Sequence, residues 1–271
     1  MHPILFDLGF AKIYSWGFMM ALAVVVAVLG IGRQLKKENY PQDMAFNLVL
    51  LLMLAGVIGA RIGYVLVYRW NEFLADPLYL FRLSHGGMSG FMWYGGFIAA
   101  SLTFIVYTRK KQIPLWKLAD LVSPFIILGY AMVRVGCFLA GCCYGKVTDS
   151  AFGVVFPVVD AHLRYPTQLM SSGINLLFFV LLLVLSRRRH FEGQIFSVTL
   201  LGYSFYRFLI EFFRDSEVWY GIFSPGQVIS MGLFLCGIIL YICLQQRDHR
   251  QYQTKHISYI RKPWEQEERD V

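Results

Sequence analysis

Residues 132–145 read MVRVGCFLAGCCYG and place one arginine, three cysteines and three glycines at the end of an apolar stretch. Two kinds of chemistry are open to such a segment. Arg134 brings a guanidinium fork, which matches phosphate oxygens in pairs. Cys137, Cys142 and Cys143 bring thiols, which act as nucleophiles or proton carriers when a nearby cation favours the thiolate. Burying an arginine in a membrane span costs at least about 2.5–3.5 kcal/mol on insertion scales, so Arg134 needs a partner or a purpose. Arg61 and Arg207 also fall within or at the ends of apolar runs. Glu211 follows Arg207 by four positions, on the same helix face, where the two can pair. An internal ion-pair network would account for one such arginine. Three arginines with one nearby acid leave an excess of positive charge, which an anionic ligand would balance. The anion most available inside a bilayer is a phospholipid headgroup.

The elements that must hold these residues are membrane helices. The chain has 271 residues, 57% hydrophobic and 15% charged, which is too apolar for a soluble domain of this size. A span needs about 20 apolar residues. Runs of that kind lie near 13–32, 44–68, 92–108, 118–139, 168–186, 194–212 and 225–244. The expected fold class is therefore all-α, a polytopic membrane protein with about seven transmembrane helices. The third run is short, and the second is long enough to tilt. Residues 1–244 are expected to form the seven-span domain, and residues 245–271 a polar, basic cytoplasmic tail. Sixteen lysines and arginines fall on one side: Arg33, Lys36 and Lys37, then 109–111 with Lys117, then 187–189, then the tail. Six fall on the other: Lys12, Arg69, Arg82, Lys146, Arg164 and Arg214. This alternation places the N-terminus outside and the C-terminus in the cytoplasm. The net charge of +8 is largely that topology signal, with some attraction to anionic membrane lipids, and no nucleic-acid partner is expected. Asp7 and Lys12 stand near the start without a basic leader or a cleavage site, so the first span is expected to be an uncleaved anchor.

With that orientation the fourth span runs outward and carries Cys137, Cys142 and Cys143 to the outer face. Disulfides are permitted there, and one from Cys137 to Cys142 or Cys143 is the plain structural reading. A nucleophile or proton relay beside Arg134 is the chemical one. A metal site lacks an evident fourth ligand, although His85 could lie nearby, and no metal or cofactor is expected. Cys236 and Cys243 read as ordinary apolar residues. His85 and His162 are the histidines near the outer side, and a loop histidine is the simpler account of each. Asp120 reads as a charge at the N-terminus of its own helix. Trp16, Trp70, Trp93 and Trp219 read as interface residues. The pairs Gly86-Gly87 and Gly95-Gly96 bracket HGGMSGFMWYGG. They suit either tight helix packing or a re-entrant, ligand-contacting loop.

Together these segments resemble the prolipoprotein diacylglyceryl transferase family, from about the first span to the seventh. GARIGYVLVY (59–68) resembles its second-helix arginine motif, and GGMSGFMWYGG its glycine-rich loop. RVGCFLAGCCYG resembles its signature, in which an arginine and a glycine precede Asn-Phe, a glycine, an acid and a closing glycine. YPTQL (165–169) resembles its His-Pro-Ser/Thr-Gln-Leu element. YRFLIEFFRD (206–215) with Gly226-Gln227 resembles its late arginine and Gly-Gln elements.

The resemblance implies an enzyme of the bacterial inner (plasma) membrane. It would move the diacylglyceryl group of phosphatidylglycerol onto the cysteine thiol of a prolipoprotein, releasing glycerol phosphate and leaving a thioether. It implies that Arg134 and Arg61 bind the lipid phosphate and that Arg207 acts in catalysis. Tyr94 would orient or deprotonate the acceptor, while Glu211, Gly95, Gly96, Gly145, Gln168 and Gln227 support the site. The chain departs from the family where a histidine falls on Tyr94, an asparagine on Cys137, an acid on Cys142 and a second histidine on Tyr165. The phosphate-binding half of the pattern is kept, and the acid–base half is rebuilt. Two other readings share the scaffold: a lipid-headgroup transferase with a different acceptor, and a non-catalytic lipid-binding or transport protein. A third is a thiol–disulfide membrane protein using the three clustered cysteines.

Overall fold

The computed structural model describes residues 1–9, 12–81, 90–215 and 222–261, with side chains described up to residue 250. Arg82, His85, Gly86, Gly87 and Trp219 lie outside the described residues. In chain order the elements are β1 (Ile4–Asp7), β2 (Lys12–Tyr14), α1 (Ser15–Lys37), α2 (Asp43–Tyr68), α3 (Trp70–Ala75), α4 (Trp93–Lys110), α5 (Leu115–Ala140), β3 (Val154–Val155), β4 (Leu163–Arg164), α6 (Thr167–Ser186), α7 (Gln194–Ile210) and α8 (Pro225–Arg261). The strands pair antiparallel as β1–β2 and β3–β4, two short ribbons in an otherwise helical chain.

Six helices, α1, α2, α5, α6, α7 and α8, are long and apolar enough to cross a membrane. The chain is thus an all-α, multi-pass membrane protein. The third expected span is α4, whose 18 residues open on Trp93-Tyr94 and close on Arg109-Lys110. At about 1.5 Å per residue it reaches roughly 27 Å, near the thickness of the hydrocarbon core, so its length suffices although its composition is weak. Helix α8 continues past residue 244 without a break and reaches Arg261. Exposed apolar side chains such as Leu176, Leu177, Val180, Leu181 and Val184 on α6 suit contact with lipid.

Two compact units are distinguished: Met1–Val25 with Ala119–Val271, and Val26–Leu118. In the Val26–Leu118 unit, α2 and α4 meet along a seam of small residues. A Cβ on Gly95 would lie 2.4 Å from the Gly59 carbonyl oxygen, and one on Gly59 would lie 2.3 Å from the Ala99 Cβ. Gly96 meets the Gly56 carbonyl at 2.8 Å in the same way. Gly95 and Gly96 therefore belong to the first turn of a helix and serve close helix packing. The loop expectation for this pair is corrected accordingly. Tyr107 Oη adds a buried hydrogen bond to the Met44 carbonyl at 3.1 Å.

In the larger unit, α7 packs against α6 and α8. Its core includes Ile127, Leu182 and Ile195, with Phe178, Phe179 and Tyr203 against them. Asp120, only 2% exposed, accepts hydrogen bonds from the backbone N–H groups of Gly193 (2.8 Å) and Phe196 (2.9 Å). It thus satisfies the open N-terminus of α7, not that of its own helix, which corrects the sequence expectation.

Candidate functional site

The site grows from the end of α5. There the chain passes through left-handed backbone at Gly141 (φ 74°) and again at Cys143 (φ 63°). A non-glycine residue in that region is uncommon and persists only where its surroundings hold it. The following element supplies the hold. Thr167 Oγ1 donates to the Cys143 carbonyl at 2.9 Å, and Gln168 Nε2 donates to the Cys142 carbonyl at 2.6 Å. The YPTQL segment therefore grips the two consecutive cysteines by their backbone. Gln168 is fully buried, and its Oε1 has no hydrogen-bond partner among the described residues.

Gly145 is the point where three segments cross. Its N–H donates to the Tyr165 carbonyl at 2.9 Å, and the Lys146 N–H donates to the Phe213 carbonyl at 2.9 Å. A Cβ on Gly145 would stand 2.5 Å from Phe213 O and 2.8 Å from both Thr167 and Tyr165. Only glycine lets these strands close over the site. Arg164 ties the same crossing together: it is bonded to Asp160 (2.7 Å) and Asp215 (3.0 Å), and its guanidinium lies 4.9 Å from the Tyr144 ring centroid.

Beneath this crossing lies a small, partly open pocket lined by Arg134, Arg207, Arg214 and Cys143. Tyr130, Tyr206, Thr167 and Ser171 add hydroxyl groups to its wall. Arg134 donates to Tyr130 Oη at 2.6 Å and sits 4.7 Å from that ring's centroid, so the tyrosine holds the guanidinium by both its face and its oxygen. Arg207 pairs with Glu211, whose carboxylate is nearly inaccessible. Gly226 makes room for the pair: a Cβ there would lie 3.1 Å from both Arg207 Nη2 and Glu211 Oε1. Ser224 and Gln227 close the start of α8 as a capping box, with Ser224 N–H to Gln227 Oε1 at 3.0 Å and Gln227 N–H to Ser224 Oγ at 3.2 Å. Gln227 thus holds the helix start that carries Gly226. Three guanidinium groups face the pocket, and among the described residues Arg207 alone has a carboxylate partner there, so the local field favours an anion. The buried Tyr206 hydroxyl has no hydrogen-bond partner among the described residues and is available to a polar ligand.

The sulfur atoms of Cys137, Cys142 and Cys143 lie within 4.8 Å of one another as free thiols. Among the described residues no histidine or carboxylate joins this group. Hydrogen bonds from Cys137 and Cys142, aided by the charges of Arg134 and Arg214, hold the Cys143 thiol well below its ordinary range. The hydrogen bonds with Cys137 and Cys143 push the Cys142 thiol up.

Of the residues singled out by sequence, Arg134, Arg207, Glu211, Gly145, Gln168, Gln227 and the three clustered cysteines fall in one unit. Arg61, Tyr94, Gly95 and Gly96 fall in the other. Arg61 is buried, and its guanidinium donates to the carbonyls of Tyr79 (3.0 Å), Leu80 (2.9 Å) and Gly90 (3.2 Å), fastening the chain on either side of the undescribed segment 82–89. Tyr94 is half exposed and meets Trp93 edge to face. His162 is an exposed loop residue near Asp160. Sequence reasoning missed Arg214, Tyr130, Tyr206 and Ser171 as wall residues. Part of the signal was present: Tyr130 precedes Arg134 by four positions, and Thr167, Ser171 and Asn175 form a buried polar stripe at helical spacing.

A family model described as prolipoprotein diacylglyceryl transferase matches residues 3–243. A phosphatidylglycerol–prolipoprotein diacylglyceryl transferase from Clostridium tetani is 34% identical over 246 residues, covering 89% of this chain and 97% of the relative. A second transferase of that name from Clostridium perfringens is also 34% identical, over 89% of this chain and 94% of its own length. One from Geobacter sulfurreducens is 31% identical, over 91% and 96% respectively.

Proposed function

The chain belongs to the prolipoprotein diacylglyceryl transferase family, and on that premise we propose that it transfers the diacylglyceryl group of phosphatidylglycerol to a prolipoprotein cysteine. The observation that carries this reading is the cavity bearing Arg134, Arg207 and Arg214 beside a thiol cluster. The guanidinium forks of this pocket suit the oxygens of a phosphodiester. The acceptor sulfur attacks the glyceryl carbon that bears the phosphate oxygen. The new C–S bond forms as the C–O bond breaks, and glycerol phosphate departs with the electron pair. Arg207, aligned by Glu211, offsets the charge that grows on the leaving oxygen. The enzyme would work in the bacterial inner membrane, with the cavity toward the outer side, as the positive-inside pattern suggests.

The phosphate contact of Arg61 and the acceptor-orienting role of Tyr94 are separate proposals that rest on the family resemblance. Arg61→Lys and Tyr94→Phe test them one at a time, each expected to lower the transfer rate. The function as a whole is tested by complementation of a strain depleted of its own transferase. It is also tested with purified full-length protein, phosphatidylglycerol vesicles and a prolipoprotein peptide, reading the peptide's mass. A gain of one diacylglyceryl group is expected. No gain, from protein that is folded and membrane-inserted, would sink the reading. The rebuilt positions Cys137, Cys142 and Tyr165 favour one alternative, the same transfer to a different acceptor. A new diacylglyceryl product other than lipoprotein in membrane extracts would support that alternative.

A further inference from the structure

The proposed transfer needs a group that removes the acceptor thiol's proton, and the cavity offers few choices. Its charged and titratable wall residues are Tyr130 and Arg134 from α5, Cys143, Tyr206 and Arg207 from α7, and Arg214 just beyond. Helix α6 contributes only the uncharged hydroxyls of Thr167 and Ser171. Guanidinium groups do not give up a proton near neutral pH, and a tyrosine with an ordinary pKa of about 10 is a poor base there. Cys143 remains.

We propose that the Cys143 thiolate is the general base that accepts the proton of the incoming prolipoprotein cysteine, an assignment that rests on the transferase reading above. Three observations besides its place in the wall support it. Its backbone is held in the left-handed region at φ 63°, with Thr167 gripping its carbonyl at 2.9 Å, so the residue is positioned at a conformational cost. Its sulfur lies within 4.8 Å of those of Cys137 and Cys142, and the Cys142 thiol donates to the Cys137 carbonyl at 3.6 Å, so the three sulfur atoms are held as one compact cluster. Arg134 and Arg214 both act to favour the negative form.

The step balances simply. The acceptor S–H bond breaks and a Cys143 S–H bond forms, leaving the acceptor as the thiolate. That thiolate forms the C–S bond, and glycerol phosphate leaves with the C–O electron pair. Cys143 then returns its proton to the departing phosphate or to water. Proton transfer from an ordinary cysteine thiol to the more acidic Cys143 is uphill, and the C–S bond formation that consumes the acceptor thiolate draws it forward. A depressed thiol pKa means that the thiolate is present above that value and is lost as the pH falls through it. The base is therefore in its working form across the neutral range.

The test uses the full-length protein in phosphatidylglycerol vesicles with the prolipoprotein peptide. Cys143→Ser is expected to lower kcat about 10²-fold, the usual worth of a general base, and to remove the acid limb of the pH–rate profile. Cys143→Asp is expected to recover part of the rate, because a carboxylate can also accept the proton. A second measurement needs no variant: iodoacetamide labelling of Cys143 in the wild-type protein without peptide, located by fragment-ion mass spectrometry. Between pH 8 and pH 6 an ordinary thiol slows about 75-fold, whereas Cys143 is expected to slow less than about fivefold. A wild-type rate and pH profile in Cys143→Ser would overturn the assignment and leave the transferase reading standing. Ordinary labelling behaviour, or a Cys143 locked in a disulfide, would also overturn it. Wild-type protein that transfers no lipid removes both readings together.

Discussion

Arg134 and Arg207 are held in different ways, and that difference bears on what each can do. Arg134 leans on the face and hydroxyl of Tyr130, a neutral partner that leaves its full charge available to a ligand. Arg207 is tied to Glu211, so its position is better defined and its net field weaker. Arg134→Ala is expected to remove a charge-assisted contact of about 1.5–3 kcal/mol, lowering kcat/KM for phosphatidylglycerol roughly 10- to 150-fold. Arg134→Lys is expected to fall between, because an ammonium keeps the charge and loses the fork. Vesicle assays across lipid concentration measure both. Glu211→Ala leaves Arg207 without its buried carboxylate partner, at an expected stability cost of about 3 kcal/mol, visible as a lowered unfolding temperature in detergent. An unchanged melting curve would mean that the pair is unimportant to the fold. The four charges in or beside apolar runs stand out in the sequence because hydrocarbon makes them conspicuous. Arg214 does not, since a charge after a helix end looks like any loop residue until Gly145 is seen pairing with it.

Among the elements, α2 and α4 depend on bare glycines for their contact, whereas the segments crossing at Gly145 depend on backbone hydrogen bonds. The paired glycines Gly95 and Gly96 are visible in the sequence, but their role turns on what the neighbouring helix presents. Gly59 and Gly63 face them, so a methyl group has nowhere to go. Gly95→Ala is therefore expected to cost about 1–3 kcal/mol through overpacking, read as reduced thermal stability of the purified protein. Gly56→Ala is the control: its own added Cβ meets open space, and its stability is expected to hold or rise. Equal losses in both variants would contradict the seam. The YPTQL element is likewise conspicuous in the sequence, yet its function as a clamp on the Cys142 and Cys143 carbonyls depends on partners 24 and 26 positions away.

For the whole molecule, the alternation of basic residues implies an N-terminus outside and a C-terminus in the cytoplasm. A fluorescent protein fused after residue 271 is expected to be bright, and alkaline phosphatase at the same point to be inactive. An impermeant thiol reagent applied to intact spheroplasts is expected to label the thiols beyond the end of α5, Cys143 ahead of Cys142. The reverse pattern would invert the proposed topology and place the cavity on the wrong side for a secreted acceptor.

The sequence by itself determined the membrane class, the approximate spans, the embedded charges and the family, because hydropathy, charge and motif order are local properties of a chain. Tertiary structure alone decided which of those residues meet. It brought Arg214, Tyr130, Tyr206 and Ser171 to the wall that Arg134 and Arg207 share. It turned one glycine pair from a candidate loop into a helix seam, and it sent Asp120 to cap a helix 73 positions away. Spacing within a helix follows from its fixed 3.6-residue turn. Neighbours across helices follow from packing, which depends on the whole chain at once.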